Sequence, residues 1–64
     1  MKRFWIDVQY SDDSEWGFYV EVDGKDWQIV ANLMMVTRGA LMASNAVTAT
    51  CYNMEGFVVC AYRA

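Results

Sequence analysis

The side chains in this 64-residue sequence that could do chemistry are few. Cys51 and Cys60 are its two thiols, Asp12, Asp13 and Glu15 set three carboxylates close together, and Arg3, Arg38 and Arg63 are its arginines. There is no histidine, which removes the commonest general base and the commonest metal ligand. Ser11, Ser14 and Ser44 fall in turn or helix-end contexts with no base beside them. The acidic run lacks the ligand spacing of a calcium loop and reads as solvated charge. Gly17, Gly24, Gly39 and Gly56 form no phosphate-cradling pattern. The expectation is a protein that binds rather than catalyses, with no cofactor and no metal.

What must position these groups is a small fold. A chain of this length is one domain, 1–64, and buries only about 60% of the surface its unfolded form exposes. Folds so small usually add a disulfide, a metal or self-association. Hydrophobic residues make up 56% of the chain, including three Phe, three Trp and four Tyr, against about 45–50% for an average domain. Some of those aromatics must lie on the surface, and exposed aromatic clusters mark contact sites. The net charge of −3 comes without a basic stripe, which argues against duplex nucleic acid. The opening residues, Met1-Lys2-Arg3-Phe4-Trp5-Ile6-Asp7, are too short an apolar run for a signal-peptide core. The run from Ile29 to Val36 is far below spanning length. A soluble, cytoplasmic protein with no membrane contact is expected.

Alternation places a strand over residues 3–10, with Phe4, Ile6, Val8 and Tyr10 on one side and Trp5, Asp7 and Gln9 on the other. The polar cluster Ser11–Glu15 is a turn. Alternation resumes with Trp16, Phe18, Val20 and Val22 against Tyr19, Glu21 and Asp23. A five-residue loop predicts the pairs Tyr10–Trp16, Val8–Phe18, Ile6–Val20 and Phe4–Val22, all on one face. Asp23-Gly24 ends this hairpin, and Asp26 is the expected N-cap of a helix beginning at Trp27. Trp27, Val30, Met34 and Leu41 form one helical stripe; Ile29, Leu33, Val36 and Ala40 form its neighbour. The helix stops at Gly39 or continues to Ser44-Asn45; the sequence leaves both endings open.

Strands over Val47–Tyr52 and Phe57–Arg63 flank the turn Asn53-Met54-Glu55-Gly56. The element order is ββαββ. The expected fold is α+β, a four-stranded antiparallel sheet with one helix packed on one face. A three-residue turn puts Val47, Ala49, Cys51, Phe57, Val59 and Ala61 on the helix side. It puts Tyr52, Val58, Cys60 and Tyr62 on the outer side, so the cysteines stay apart as free thiols. A two-residue turn would instead make them direct cross-strand partners.

The outer face then gathers Trp5, Tyr19, Tyr52 and Tyr62, a heavy aromatic load for a surface that meets water. Cross-strand aromatic pairs stabilise a thin sheet by about 0.2–1 kcal/mol each, and they are also favoured anchors at interfaces. This face is the expected site for a second copy, making a homodimer, or for a protein partner. Asp12, Asp13 and Glu15 form an acidic edge suited to a basic groove. As an alternative, subunits of an oligomer could enclose a small signalling nucleotide, with Arg3, Arg38 and Arg63 as the anion contacts.

In architecture the chain resembles the very small anti-CRISPR and other anti-defence proteins of bacteriophages and mobile elements. The resemblance rests on the Phe4–Tyr10 and Trp16–Val22 hairpin, the helix from Trp27 and the Val47–Arg63 hairpin. It implies a dimeric, non-enzymatic inhibitor or regulator of a host protein.

Overall fold

The chain alternates apolar and polar residues at both ends and switches to helical spacing between them, and its architecture follows that division. The computed structural model describes all residues from Met1 to Ala64. The elements are β1 (Lys2–Gln9), β2 (Glu15–Val22), α1 (Asp26–Ala43), β3 (Thr48–Asn53) and β4 (Val58–Arg63). The strands form one antiparallel sheet in the order β2-β1-β3-β4. The expected ββαββ fold with one helix on one face is what the chain adopts. Because β1 pairs with both β2 and β3, those two run parallel, and α1 crosses between them over a gap that β1 fills. No helix is long and apolar enough to cross a membrane.

The β1–β2 register differs from expectation by two residues. Val8 faces Trp16, Ile6 faces Phe18 and Phe4 faces Val20. The side-chain faces survive, because a slip of two preserves the strand period. The loop is tighter than expected. Tyr10 N–H bonds to the Ser14 carbonyl at 2.9 Å, Asp13 N–H to the Tyr10 carbonyl at 3.1 Å, and Asp13 turns to φ 69°. This is the three-residue hairpin built on a type I turn and a left-handed third position, where Asp is tolerated better than most residues. Asp12 braces it by accepting a bond from the Ser14 N–H at 3.0 Å.

Asp26 does not cap the helix. Lys25 is the N-cap, Asp26 stands in the first turn, and Gln28 Oε1 accepts the Lys25 N–H at 2.9 Å. The carboxylate of Asp26 still favours the positive end of the helix. At the other end the helix runs through Gly39 to Ala43 and stops where Asn45 takes φ 54°, one of the usual left-handed exits.

The core lies between α1 and the middle strands. Phe4, Ile6, Val8, Ala49 and Cys51 of the sheet pack with Ile29, Leu33 and Leu41 of the helix and with Ala46. The helix rests mainly on β3 and β4. Its buried row is Ile29, Leu33, Thr37 and Leu41, a narrower stripe than the arc read from the sequence. Trp27, Val30, Met34 and Val36 are exposed instead. Thr37 is the one buried polar residue. Its hydroxyl donates to the Leu33 carbonyl at 2.6 Å, so burial leaves it satisfied.

The second hairpin departs from expectation in one place with several consequences. The turn has the three-residue form: Asn53 N–H bonds to the Phe57 carbonyl at 2.9 Å, Gly56 N–H to the Asn53 carbonyl at 3.0 Å, and Gly56 sits at φ 89°. Tyr52 accordingly faces Val58, but the register then shifts, and Cys51 faces Cys60 instead of Val59. The extra residue, Val59, is a β-bulge, and a bulge reverses the facing of everything beyond it. Cys60 and Tyr62 therefore pack toward the core, whereas Ala61 is exposed. Phe57, expected inside, is 66% exposed.

Candidate functional site

The outer face of the sheet is built from the residues that alternate away from the core. Three cross-strand pairs, Tyr19–Trp5, Trp5–Tyr52 and Tyr52–Val58, lay one row across all four strands. Trp5 and Tyr52, on the two inner strands, are half-buried; Tyr19 and Val58, on the edges, are exposed. The Trp5 and Tyr19 rings meet edge-on with centroids 4.7 Å apart, the geometry favoured by ring quadrupoles. Tyr62, expected on this face, is on the opposite side because of the bulge.

Two further residues fix the row. Gly17 lies beneath the Trp5 indole: a Cβ at Gly17 would stand 2.2 Å from Trp5 Cζ2. Arg3 places its guanidinium 4.9 Å from the centre of the Tyr19 ring and 3.5 Å from Glu21 Oε1. This stacks a cation on the ring and neutralises it laterally. Neither Gly17 nor Arg3 had been read as part of the aromatic face. Gly17 faces Asp7, two pairs along the ladder from Trp5–Tyr19 and the next on the same face; the expected register, which sets Gly17 opposite Gln9, hides that placement.

Below the aromatic row the face turns polar. Gly17, Asp7, Thr50 and Ala61 form the next row, followed by Glu15, Gln9, Thr48 and Arg63. Gln9 Nε2 donates to Glu15 Oε2 at 3.3 Å, and Gln9 Oε1 accepts from Thr48 Oγ1 at 3.3 Å. Partial burial pushes the Asp7 carboxyl above its ordinary value, and the charge and hydrogen bonding of Glu15 add to this. Asp12 is held below the usual range by its hydrogen bonds from Ser14. The acidic edge thus divides: Glu15 belongs to the outer face, whereas Asp12 and Asp13 shape the loop at its end.

The two shifts have opposite signs for stability. Ionised Asp7 works against folding above its unfolded value, and that penalty disappears as pH falls through the raised folded value. The Asp12 contribution favours folding above its unfolded value and is lost as pH falls through the lowered folded one. Asp7→Asn is therefore predicted to melt above the parent at pH 7. The gain is about 2–4 °C, the scale of a solvent-screened change of about 0.5 kcal/mol in a domain this size. Thermal melts from neutral pH down to about pH 3 should show the gap closing as Asp7 becomes protonated. A gap that persists at acid pH would contradict this origin.

The arginines do not converge. Arg3 is engaged on the outer face, whereas Arg38 and Arg63 line a half-open cleft of about 480 Å³ with Leu41, Met42 and Tyr62 at the end of the helix. A second apolar surface lies along α1, where Trp27, Val30, Met34, Met35 and Met42 are all exposed. Trp27, Val30 and Met34, expected among the buried stripes, lie on this surface instead. A third lies on the helix side of the first hairpin. There Trp16, donating its indole N–H to the Tyr10 hydroxyl, is 46% exposed and packs on Phe18 with centroids 5.3 Å apart.

The chain matches no family model, no curated protein and no solved structure.

Proposed function

We propose that this chain is a non-catalytic interaction protein that works as a homodimer and inhibits or regulates a host protein, docking it through the outer face of the sheet. The observation that carries the reading is the fixed aromatic row Tyr19–Trp5–Tyr52, seated on Gly17 and stacked against Arg3. Such rings offer large contact area, and because they are already packed they lose little freedom on binding. Asp7, Glu15 and Glu21 around the row favour a basic partner surface and make the encounter salt-sensitive. The helix stripe of Trp27, Val30, Met34 and Met35 lies on the other side of the molecule and supplies the apolar area for a second copy. The architectural resemblance to anti-defence proteins points the same way.

The test separates the two surfaces. Light scattering at micromolar concentration should give a dimer that Met35→Glu dissociates and Tyr19→Ala leaves intact. Affinity for a host protein retained by the parent should fall about tenfold or more with Tyr19→Ala, as expected of a hot spot worth over about 1 kcal/mol. The same affinity should not change with Met35→Ala. A strict monomer, or partner binding indifferent to Tyr19→Ala and Tyr52→Ala, would overturn the reading.

A further inference from the structure

The bulge at Val59 does more than turn Tyr62 inward. It sets Cys51 and Cys60 directly opposite each other on β3 and β4. Residues opposed in an antiparallel pair have Cα atoms about 4.5–5.5 Å apart, inside the range of about 4.4–6.8 Å that a disulfide spans. Both are free thiols on the helix side of the sheet. They are not equivalent. Cys51 is fully buried, whereas Cys60, on the edge strand, is half-buried. The Cys60 thiol donates to the Thr37 hydroxyl at 3.6 Å, and that hydroxyl is itself fixed on the Leu33 carbonyl. Thr37 therefore holds the Cys60 sulfur beside the sulfur of Cys51.

We propose that Cys51 and Cys60 are a dithiol–disulfide couple that reacts with small-molecule disulfides of the glutathione type, with Cys60 as the entry thiol and Cys51 as the resolving one. In the first step the Cys60 thiolate attacks one sulfur of the reagent. The reagent's S–S bond breaks, and its other half leaves as a thiolate that takes up the proton Cys60 gave to solvent. In the second step Cys51, deprotonated, attacks the Cys60 sulfur of the mixed disulfide and expels the remaining half as a second thiol. The protein loses two protons and two electrons, and the small disulfide gains them as two thiols.

The order of the steps follows from the site. Burial, and then the neighbouring Cys60, push the Cys51 thiol up to about 11, so it carries little thiolate at neutral pH and is a poor first attacker. Once Cys60 bears the reagent, the two protein sulfurs are already adjacent and the second step is intramolecular. The resulting bridge would tie edge strand β4 to β3 beside the bulge, where the ladder shifts register.

The folded protein, incubated with oxidised glutathione, quenched with acid and weighed intact, tests this. The expected product is a chain lighter by two hydrogen atoms, restored by dithiothreitol, and melting higher than the reduced form. Cys51→Ser should stop at one glutathione adduct on Cys60, and Cys51→Ala serves if the buried hydroxyl prevents folding. Cys60→Ser should label at Cys51 at least tenfold more slowly than Cys51→Ser labels at Cys60. Closure seen only in denaturant, or equal labelling rates in the two single variants, would overturn the proposal.

Discussion

Leu33→Ala is expected to leave the chain largely unfolded at room temperature, whereas Met35→Ala, two residues along the same helix, should melt almost as the parent does. Leu33 is fully buried, and Met35 is 73% exposed. Removing a buried Leu side chain costs about 2–5 kcal/mol, part lost transfer energy and part residual cavity. A single core in a chain this short rarely supplies more than about 3–5 kcal/mol in total. Only ten of the 64 residues are buried, so few neighbours can close in on the space. An exposed truncation falls within about 0.5 kcal/mol. Far-UV circular dichroism through a thermal melt and a urea titration would read both. Equal losses from the two variants would mean that α1 docks on a different face. The comparison is made at a concentration low enough to leave the chain monomeric, because association through the exposed stripe raises the parent's melt with concentration and Met35→Ala weakens that rise.

That contrast also marks how much of the fold was legible. Both hairpins and the helix could be placed because strand alternation and helical spacing are independent signals, and each was strong. The helix face could not be placed. Trp27, Val30, Met34 and Met35 are as apolar as Ile29, Leu33 and Leu41, so hydrophobicity ranks the two stripes equally. Burial went to the row that includes Thr37, whose hydroxyl satisfies itself within its own helix and so costs little to bury. The β1–β2 register slipped by two because that slip leaves every side chain on its own face. The local information that decided it was the left-handed Asp13 and the Asp12–Ser14 bonds, not the apolar pattern.

For the candidate site the pattern was informative up to the bulge and not beyond it. Trp5, Tyr19 and Tyr52 precede it and share a face as expected. Tyr62 follows it and does not. Nothing in Phe57-Val58-Val59-Cys60 marks an extra residue, since Val suits either a regular or a bulged position. The same irregularity brings the two thiols together although the turn length predicted them apart. One unpaired residue therefore decides both the composition of the outer face and the chemistry available behind it.

Gly17→Ala should destabilise the fold and disturb the aromatic row, although alanine is normally the better residue in regular structure. Relief of unfolded-state entropy favours the substitution by about 0.4–1 kcal/mol. Against this, the new Cβ would lie 2.2 Å from Trp5 Cζ2, 2.7 Å from Trp5 Cε2 and 2.8 Å from the Ile6 carbonyl oxygen. The indole can lift, but the carbonyl is backbone of the central strand and moves only with the sheet. Overpacking of this kind costs about 1–3 kcal/mol, so steric strain outweighs the entropy and the net loss is about 1–2 kcal/mol. Lifting Trp5 also breaks its edge-on contact with Tyr19, which should change the near-ultraviolet circular dichroism. Gly39→Ala provides the control. A Cβ there meets nothing within 4 Å, so helix propensity alone should raise stability by about 0.5–1 kcal/mol. If both variants gained stability and the aromatic signal stayed the same, Gly17 would not be the seat of Trp5. If Gly17→Ala lost the partner while the fold survived, the contact would depend on the row's geometry as well as on its chemical composition.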